Sequence, residues 1–173
     1  GIGLFPDVGG SYFLSRCPGQ LGVFLALTGT RIGAADALYC GIGTAYVASA
    51  RLEELQSALA DAGTADSVIK QFAQTPPAEP ALAAHRLRID RIFAHDKVEA
   101  IVEALAQEKD EWAAQIRNTI LGKSPVSSKV ALRQLRAGAK LDFNACMKME
   151  YRLANRFIES HDFYAGVRAT VIE

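Results

Sequence analysis

Cysteine, histidine and tryptophan are scarce, at three, three and one in 173 residues. Cys17, Cys40 and Cys146 are odd in number, far apart, and include no Cys-x-x-Cys pair. That pattern argues against a disulfide scaffold or a zinc knuckle and fits free thiols in a reducing compartment. His85 and His95 have no partner at metal-ligand spacing, so no metal site is expected. Excess charge is absent too: 19 basic residues face 19 acidic ones. No global field would draw in nucleic acid or an acidic membrane, and neither is expected as a partner. No apolar run approaches the ~20 residues of a membrane span. A basic segment followed by an apolar core, the mark of a signal peptide, is missing from the first residues. Position 1 is not methionine, so the native start is expected elsewhere or processed away. Internal repeats and low-complexity tracts are absent.

What remains is an ordinary globular composition, half hydrophobic and 22% charged, large enough for one domain with a core. Nearly all of it reads as helix. Leu21 to Leu27 is apolar and ends at Thr28-Gly29. Ala34 to Tyr39 is a short helix closed by Gly41, a natural left-handed stop. Thr44 to Val47 ("TAYV") is the one good strand candidate. Ser49 opens "ARLEELQSALADAG", with Leu52, Leu55 and Leu59 at i, i+3 and i+7. "TPPAEP", Thr75 to Pro80, is a break between helical layers, because its prolines remove backbone donors and force extended conformations. Asp96 to Glu99 reads as a capping box before Val98, Ile101, Val102 and Leu105. Asp110 is expected to start the helix of Trp112 and Ile116, with Trp112 a packing anchor. Ser124-Pro125 reads as an N-cap followed by a first-turn proline, opening a helix with Val130, Leu132 and Leu135. A long helix is expected from about Asp142 to Ser160, with Cys146, Met149, Leu153 and Phe157 on one face. A short one follows from about Phe163 to Val171. The fold class is therefore mostly α, with at most one or two short strands. Such helices can pack on themselves or against a sheet supplied from elsewhere.

Few residues suggest chemistry. In the opening "GIGLFPDVGGSYFL", Gly9-Gly10 precedes a helix start whose backbone N–H groups would be free to face an anion or carbonyl. Pro6 stiffens the approach and Asp7 adds a carboxylate. On its own the string is as well explained by a plain turn. His161-Asp162 could be an oriented base, but Asp162 reads better as the N-cap of the last helix and His161 as a C-terminal charge partner of the preceding one. Arg86, Arg88 and Arg91 could meet a phosphate or simply form a solvated helix face. Ser11 lacks a Gly-x-Ser-x-Gly elbow. Cys146, Met147 and Met149 read as core filler.

The string "GIGLFPDVGGSYFLSR", followed by "LGVFLALTGTRIGAADALYCGIGTAYV", resembles the crotonase (enoyl-CoA hydratase/isomerase) superfamily. "GLFPDVGG" with Asp7 is most similar to its 3-hydroxyisobutyryl-CoA hydrolase branch. "SPVSSKVALRQLRAGAKLDFNACMKMEYRLANRFI" and "HDFYAGVRATVIE" agree, and the stretch around Thr75 to His95 matches least well. The resemblance implies the helical C-terminal part of a crotonase-like α/β fold. Residues 1–48 would end the core, with the active-site loop, and 49–173 would form the helical C-terminal region.

The resemblance further implies an acyl-CoA substrate whose thioester carbonyl lies between two backbone N–H groups. A glutamate two positions before Gly1 would attack the thioester or activate water. Asp7 would bind the substrate's 3-hydroxyl and assist catalysis, as partner to that glutamate or as an acceptor alone. Phe5 and Pro6 would shape the acyl pocket, and Gly9 and Gly10 would form the turn beside it. The family often has glutamate where Ala165 stands, so ligand contact by that turn is not carried over.

On this reading the chain opens within the catalytic loop, its missing N-terminal half is a partner, and alone it would be inactive. The whole enzyme would hydrolyse a short 3-hydroxyacyl-CoA, as in valine breakdown. It would need no cofactor beyond the coenzyme A carried by the substrate, and a homo-oligomer is expected. Its place would be the cytoplasm of a bacterium or the mitochondrial matrix of a eukaryote. The rival readings are an enoyl-CoA hydratase or isomerase and, from another class, a non-enzymatic helical assembly or binding module.

Overall fold

The computed structural model describes residues 2–61 and 64–172. Among them, eleven α-helices run in the order α1 (Gly10–Phe13), α2 (Leu21–Thr28), α3 (Ala34–Tyr39), α4 (Leu52–Asp61), α5 (Ala65–Phe72), α6 (Arg86–Ile92), α7 (Val98–Gln107), α8 (Glu111–Leu121), α9 (Pro125–Gly138), α10 (Phe143–Ile158) and α11 (His161–Val167). The mostly α expectation holds. No helix among the described residues is long and apolar enough to cross a membrane. Ala62 and Gly63, the end of the expected "ARLEELQSALADAG" helix, lie outside the described residues. The chain forms two compact units, Gly1–Thr30 with Arg86–Glu173, and Arg31–His85.

The larger unit is organised around α2. Its sequence LGVFLALT is apolar on every side, the pattern of a helix enclosed by others. It packs against α6, α8 and α9. Leu21, Phe24 and Leu27 are at most 2% exposed, as are Ile89, Ile92, Phe93, Ile101, Leu105 and Leu135 elsewhere in this unit. Phe24 meets Phe93 edge-on at 5.4 Å between ring centroids and stacks on Trp112 at 6.4 Å, so Trp112 is the packing anchor its sequence position suggested. Three expected N-caps form: Asp110 accepts from the Ala113 N–H at 3.0 Å, Ser124 from Ser127 at 3.1 Å, and Asp142 from Ala145 at 2.7 Å. Each satisfies a donor that the first helical turn leaves unpaired.

One expectation fails because charges found tertiary partners. The capping box at Asp96–Glu99 does not form, and Lys97 is the N-cap of α7. Asp96 instead pairs with Arg136 at 3.3 Å and Glu99 with Lys129 at 2.5 Å, both cations standing on α9. The arginine run forms a partly solvated face that also carries ion pairs. Arg86 pairs with Asp90 at 2.7 Å, Arg91 with Glu108 at 2.7 Å, and Arg88 with Glu108 at 3.0 Å and Asp110 at 2.5 Å. The Arg88 guanidinium also lies 4.5 Å from the Trp112 ring centroid.

In the smaller unit, the buried Asp36 carboxylate accepts the Leu82 N–H at 2.9 Å, tying α3 to the 3-10 turn Ala81–His85. Arg51 covers the Phe72 ring at 4.4 Å. The strand expected at Thr44–Val47 is reduced to one antiparallel bridge, Tyr46 to Gln74. A β-rich segment needs a neighbouring edge to pair with, and among the described residues only that contact is supplied. The leucine stripe of α4 forms as a helix face, yet Leu52 and Leu59 stay exposed.

The ion-pair cluster gives a pH test. Hydrogen bonds from Arg91, then Arg88, hold the Glu108 carboxyl below the usual carboxylate range. A depressed folded pKa contributes stability above the unfolded value and loses it as pH falls through the folded one. Glu108→Gln should therefore be less stable than the parent at neutral pH, with the gap closing on acidification in chemical denaturation series. A gap that stays constant from neutral to acid pH would contradict this account.

Candidate active site

A cleft of about 680 Å³ opens within the larger unit. The opening segment Ile2–Asp7 forms one wall. Gly122 to Pro125, with Ser127, Ser128 and Ala131 of α9, forms another, and His161, Asp162, Ala165 and Gly166 of α11 a third. Phe5, Pro6 and Asp7, three of the residues singled out from sequence, therefore share one cavity. Phe5 is only 3% exposed, its ring 5.2 Å from that of Phe157. The Pro6 carbonyl accepts from Gln134 Nε2 of α9 at 2.6 Å. Asp7 is exposed at the cleft wall. Ala165-Gly166 also reaches the cleft, although its departure from the family pattern gave no reason to expect ligand contact. A Cβ on Gly166 would lie 2.5 Å from the Ile2 carbonyl carbon, so glycine lets α11 close against the opening segment.

Gly9 and Gly10 do not line this cleft. The Gly10 N–H donates to the Asp7 carbonyl at 2.8 Å, closing a tight turn. Val8 has φ 47° and Gly9 φ 94°, the left-handed pair of a type I′ turn. Glycine suits the second position, whereas valine at the first is strained, because a branched Cβ crowds the backbone there.

The expectation of free donors at this helix start is corrected by a residue that sequence reasoning missed. Glu150 of α10, 3% exposed, accepts the Gly9 N–H at 2.7 Å and the Ser11 N–H at 2.8 Å. It also accepts the Ser11 hydroxyl. A protein carboxylate thus already fills the anion-binding turn. The one signal in the sequence was an acid on the α10 face that also carries Cys146 and Phe157, both buried.

His161-Asp162 is corrected as well. Ser160, not Asp162, is the N-cap of α11. The Asp162 carboxylate accepts from the Ser124 hydroxyl at 2.6 Å, and Ser124 in turn caps α9. The pair joins the two helix starts that border the cleft. Among the described residues no group of three or more His, Cys, Asp or Glu side chains could hold a metal ion.

The fold agrees with known proteins. The enoyl-CoA hydratase/isomerase family model matches residues 1–173, and the chain belongs to that family. Over its whole length it is 40% identical to the mitochondrial 3-hydroxyisobutyryl-CoA hydrolase of Danio rerio, covering 48% of that protein. It is 35% identical over 99% of its length to the small ribosomal subunit protein mS47 of Neurospora crassa, of which it covers 38%. A crystal structure of a carnitinyl-CoA dehydratase from Mycobacterium thermoresistibile superposes with a TM-score of 0.91 at 37% identity, over 99% of this chain and 50% of that one. The chain spans about half the length of the hydrolase it matches.

The strained turn gives a prediction. Val8 is 82% exposed and contributes little packing, whereas asparagine tolerates the left-handed region. Val8→Asn should raise stability by about 1 kcal/mol in thermal or denaturant unfolding. A loss of stability would mean that the turn is not strained.

Proposed function

We propose that the polypeptide to which this chain belongs hydrolyses the thioester of a short 3-hydroxyacyl-CoA such as 3-hydroxyisobutyryl-CoA. The observation that carries this reading is Asp7 of "GLFPDVGG", placed on the wall of a cleft that Phe5 and Pro6 also line. Similarity over the whole of this chain to about half of a protein named for that hydrolysis supports it. Water adds to the thioester carbon, the carbon–sulfur bond breaks, and the products are the free acid and the coenzyme A thiol. Negative charge develops on the carbonyl oxygen, so preorganised donors are needed, each worth about 10²–10³ in rate. Glu150 occupies the Gly9 and Ser11 amides, so those donors must come from other parts of the polypeptide. Asp7 is assigned to the substrate's 3-hydroxyl and to assisting the carboxylate that attacks or activates water.

In the same reading, coenzyme A enters only as part of the substrate and no further cofactor takes part. The active form is a homo-oligomer, in the mitochondrial matrix if the source is a eukaryote and in the cytoplasm if it is a bacterium. An enoyl-CoA hydratase is separated from this by assay with an unsaturated thioester: a hydratase adds water across the double bond and releases no thiol. A second reading, a structural component of a large assembly, has one observation in its favour: the ribosomal protein similar over 99% of this chain. The full-length polypeptide decides between them. Release of thiol from 3-hydroxyisobutyryl-CoA supports the hydrolase, and its absence supports the assembly component.

Asp7→Asn in the full-length polypeptide should lower thioester hydrolysis by about 10²-fold, the usual contribution of a positioned acid–base group. Unchanged turnover would remove Asp7 from the mechanism.

A further inference from the structure

We propose that Glu150 is a positioning residue for Asp7: its carboxylate clamps the Asp7–Gly10 turn and so fixes where the Asp7 side chain meets the cleft. The choice of activity readout rests on the thioester reading above, while the clamp itself rests on geometry alone.

Two tethers hold the turn from opposite sides. On the N-terminal side, the Pro6 carbonyl is bound by Gln134 of α9 at 2.6 Å. On the C-terminal side, Glu150 of α10 takes the N–H groups of Gly9 and Ser11 at 2.7 and 2.8 Å. These two amides flank Gly10, whose own N–H closes the turn onto the Asp7 carbonyl at 2.8 Å. Asp7 thus projects from a backbone fixed at both flanks, while its own side chain remains exposed. The turn holds Val8 in a left-handed conformation that a branched residue abandons when it is free to do so. Releasing the C-terminal tether would let the Asp7–Val8 peptide rotate and carry the Asp7 carboxylate away from its place.

The donor set makes the role specific to a carboxylate. Three donors converge on Glu150: two backbone N–H groups and the Ser11 hydroxyl. A carboxylate is acceptor-only, whereas a glutamine amide would turn an NH₂ group toward one of those N–H donors. Aspartate is one methylene too short for a pocket in which Glu150 is 3% exposed. A residue that merely filled space would be replaced by glutamine without consequence; this one would not.

The test uses the full-length polypeptide in five forms: parent, Glu150→Gln, Ser11→Ala, Asp7→Asn, and Asp7→Asn with Glu150→Gln. In Glu150→Gln, amide hydrogen exchange at Gly9 and Ser11 should accelerate about 10- to 100-fold, the loss of a charge-assisted hydrogen bond, while Ile101 and Leu105 in α7 keep their protection. Hydrolysis should fall in kcat/KM with the same split between kcat and KM as in Asp7→Asn, and the double variant should be no slower than Asp7→Asn alone. Retained protection at Gly9 and Ser11 would overturn the clamp. An equal fall in rate whether or not Asp7 is intact would overturn its action through Asp7. Should Glu150→Gln fail to fold, Ser11→Ala removes one donor and keeps the carboxylate. A smaller acceleration confined to Gly9 and Ser11 then supports the clamp, and unchanged exchange there defeats it. If the parent cleaves no thioester, the hydrolase reading fails, and the exchange comparison still decides whether Glu150 holds the turn.

Discussion

A single buried carboxylate organises the front of this molecule. Glu150 reaches across 139 to 141 positions of sequence to bind the amides of Gly9 and Ser11. Taking a charge out of water is costly unless donors replace the lost solvent. Here three donors do so, and the same contacts satisfy backbone groups at the start of α1 that its four residues cannot. Removing the carboxylate would leave buried donors unpaired, at a typical cost of about 1–3 kcal/mol each. The helix that carries Glu150 therefore cannot shift relative to the turn without exposing or orphaning the charge.

The cleft follows from this anchoring together with a second short polar connection. Asp162 takes the Ser124 hydroxyl, and the Ser124 oxygen takes the Ser127 amide. The starts of α9 and α11 are thereby joined, and the opening segment lies against α11 at Gly166. Few interactions are needed because α2 and its neighbours already supply a dense apolar support. The polar contacts set direction while apolar burial supplies most of the cohesion. The opening segment thus gains a defined place from the helices behind it.

Charge on the outer faces is arranged differently. Some of the charges form specific pairs between distant parts of the chain, as with Arg88 and Arg91 on Glu108 and Lys129 on Glu99. These sites are partly exposed, so each pair contributes modestly. Their effect is to choose partners for residues that local rules would have used otherwise. Asp96 would have capped α7 by sequence pattern alone, and it pairs with Arg136 instead.

The sequence by itself determined most of the helices and their ends, though not α5, and the family. Local chemistry suffices for these: Asp110, Ser124 and Asp142 cap the helices that follow them, and Gly29 and Gly41 stop helices in the left-handed conformation. It also marked Phe5, Pro6 and Asp7, because a short contiguous motif is visible without folding. Only the tertiary structure decided that Glu150 fills the glycine turn, that Asp162 serves α9 rather than capping its own helix, and that "TAYV" finds a single bridging partner. Each of these depends on which distant donor or edge lies within about 3 Å, and hydrogen bonding falls away too steeply with distance and angle for spacing along the chain to encode it.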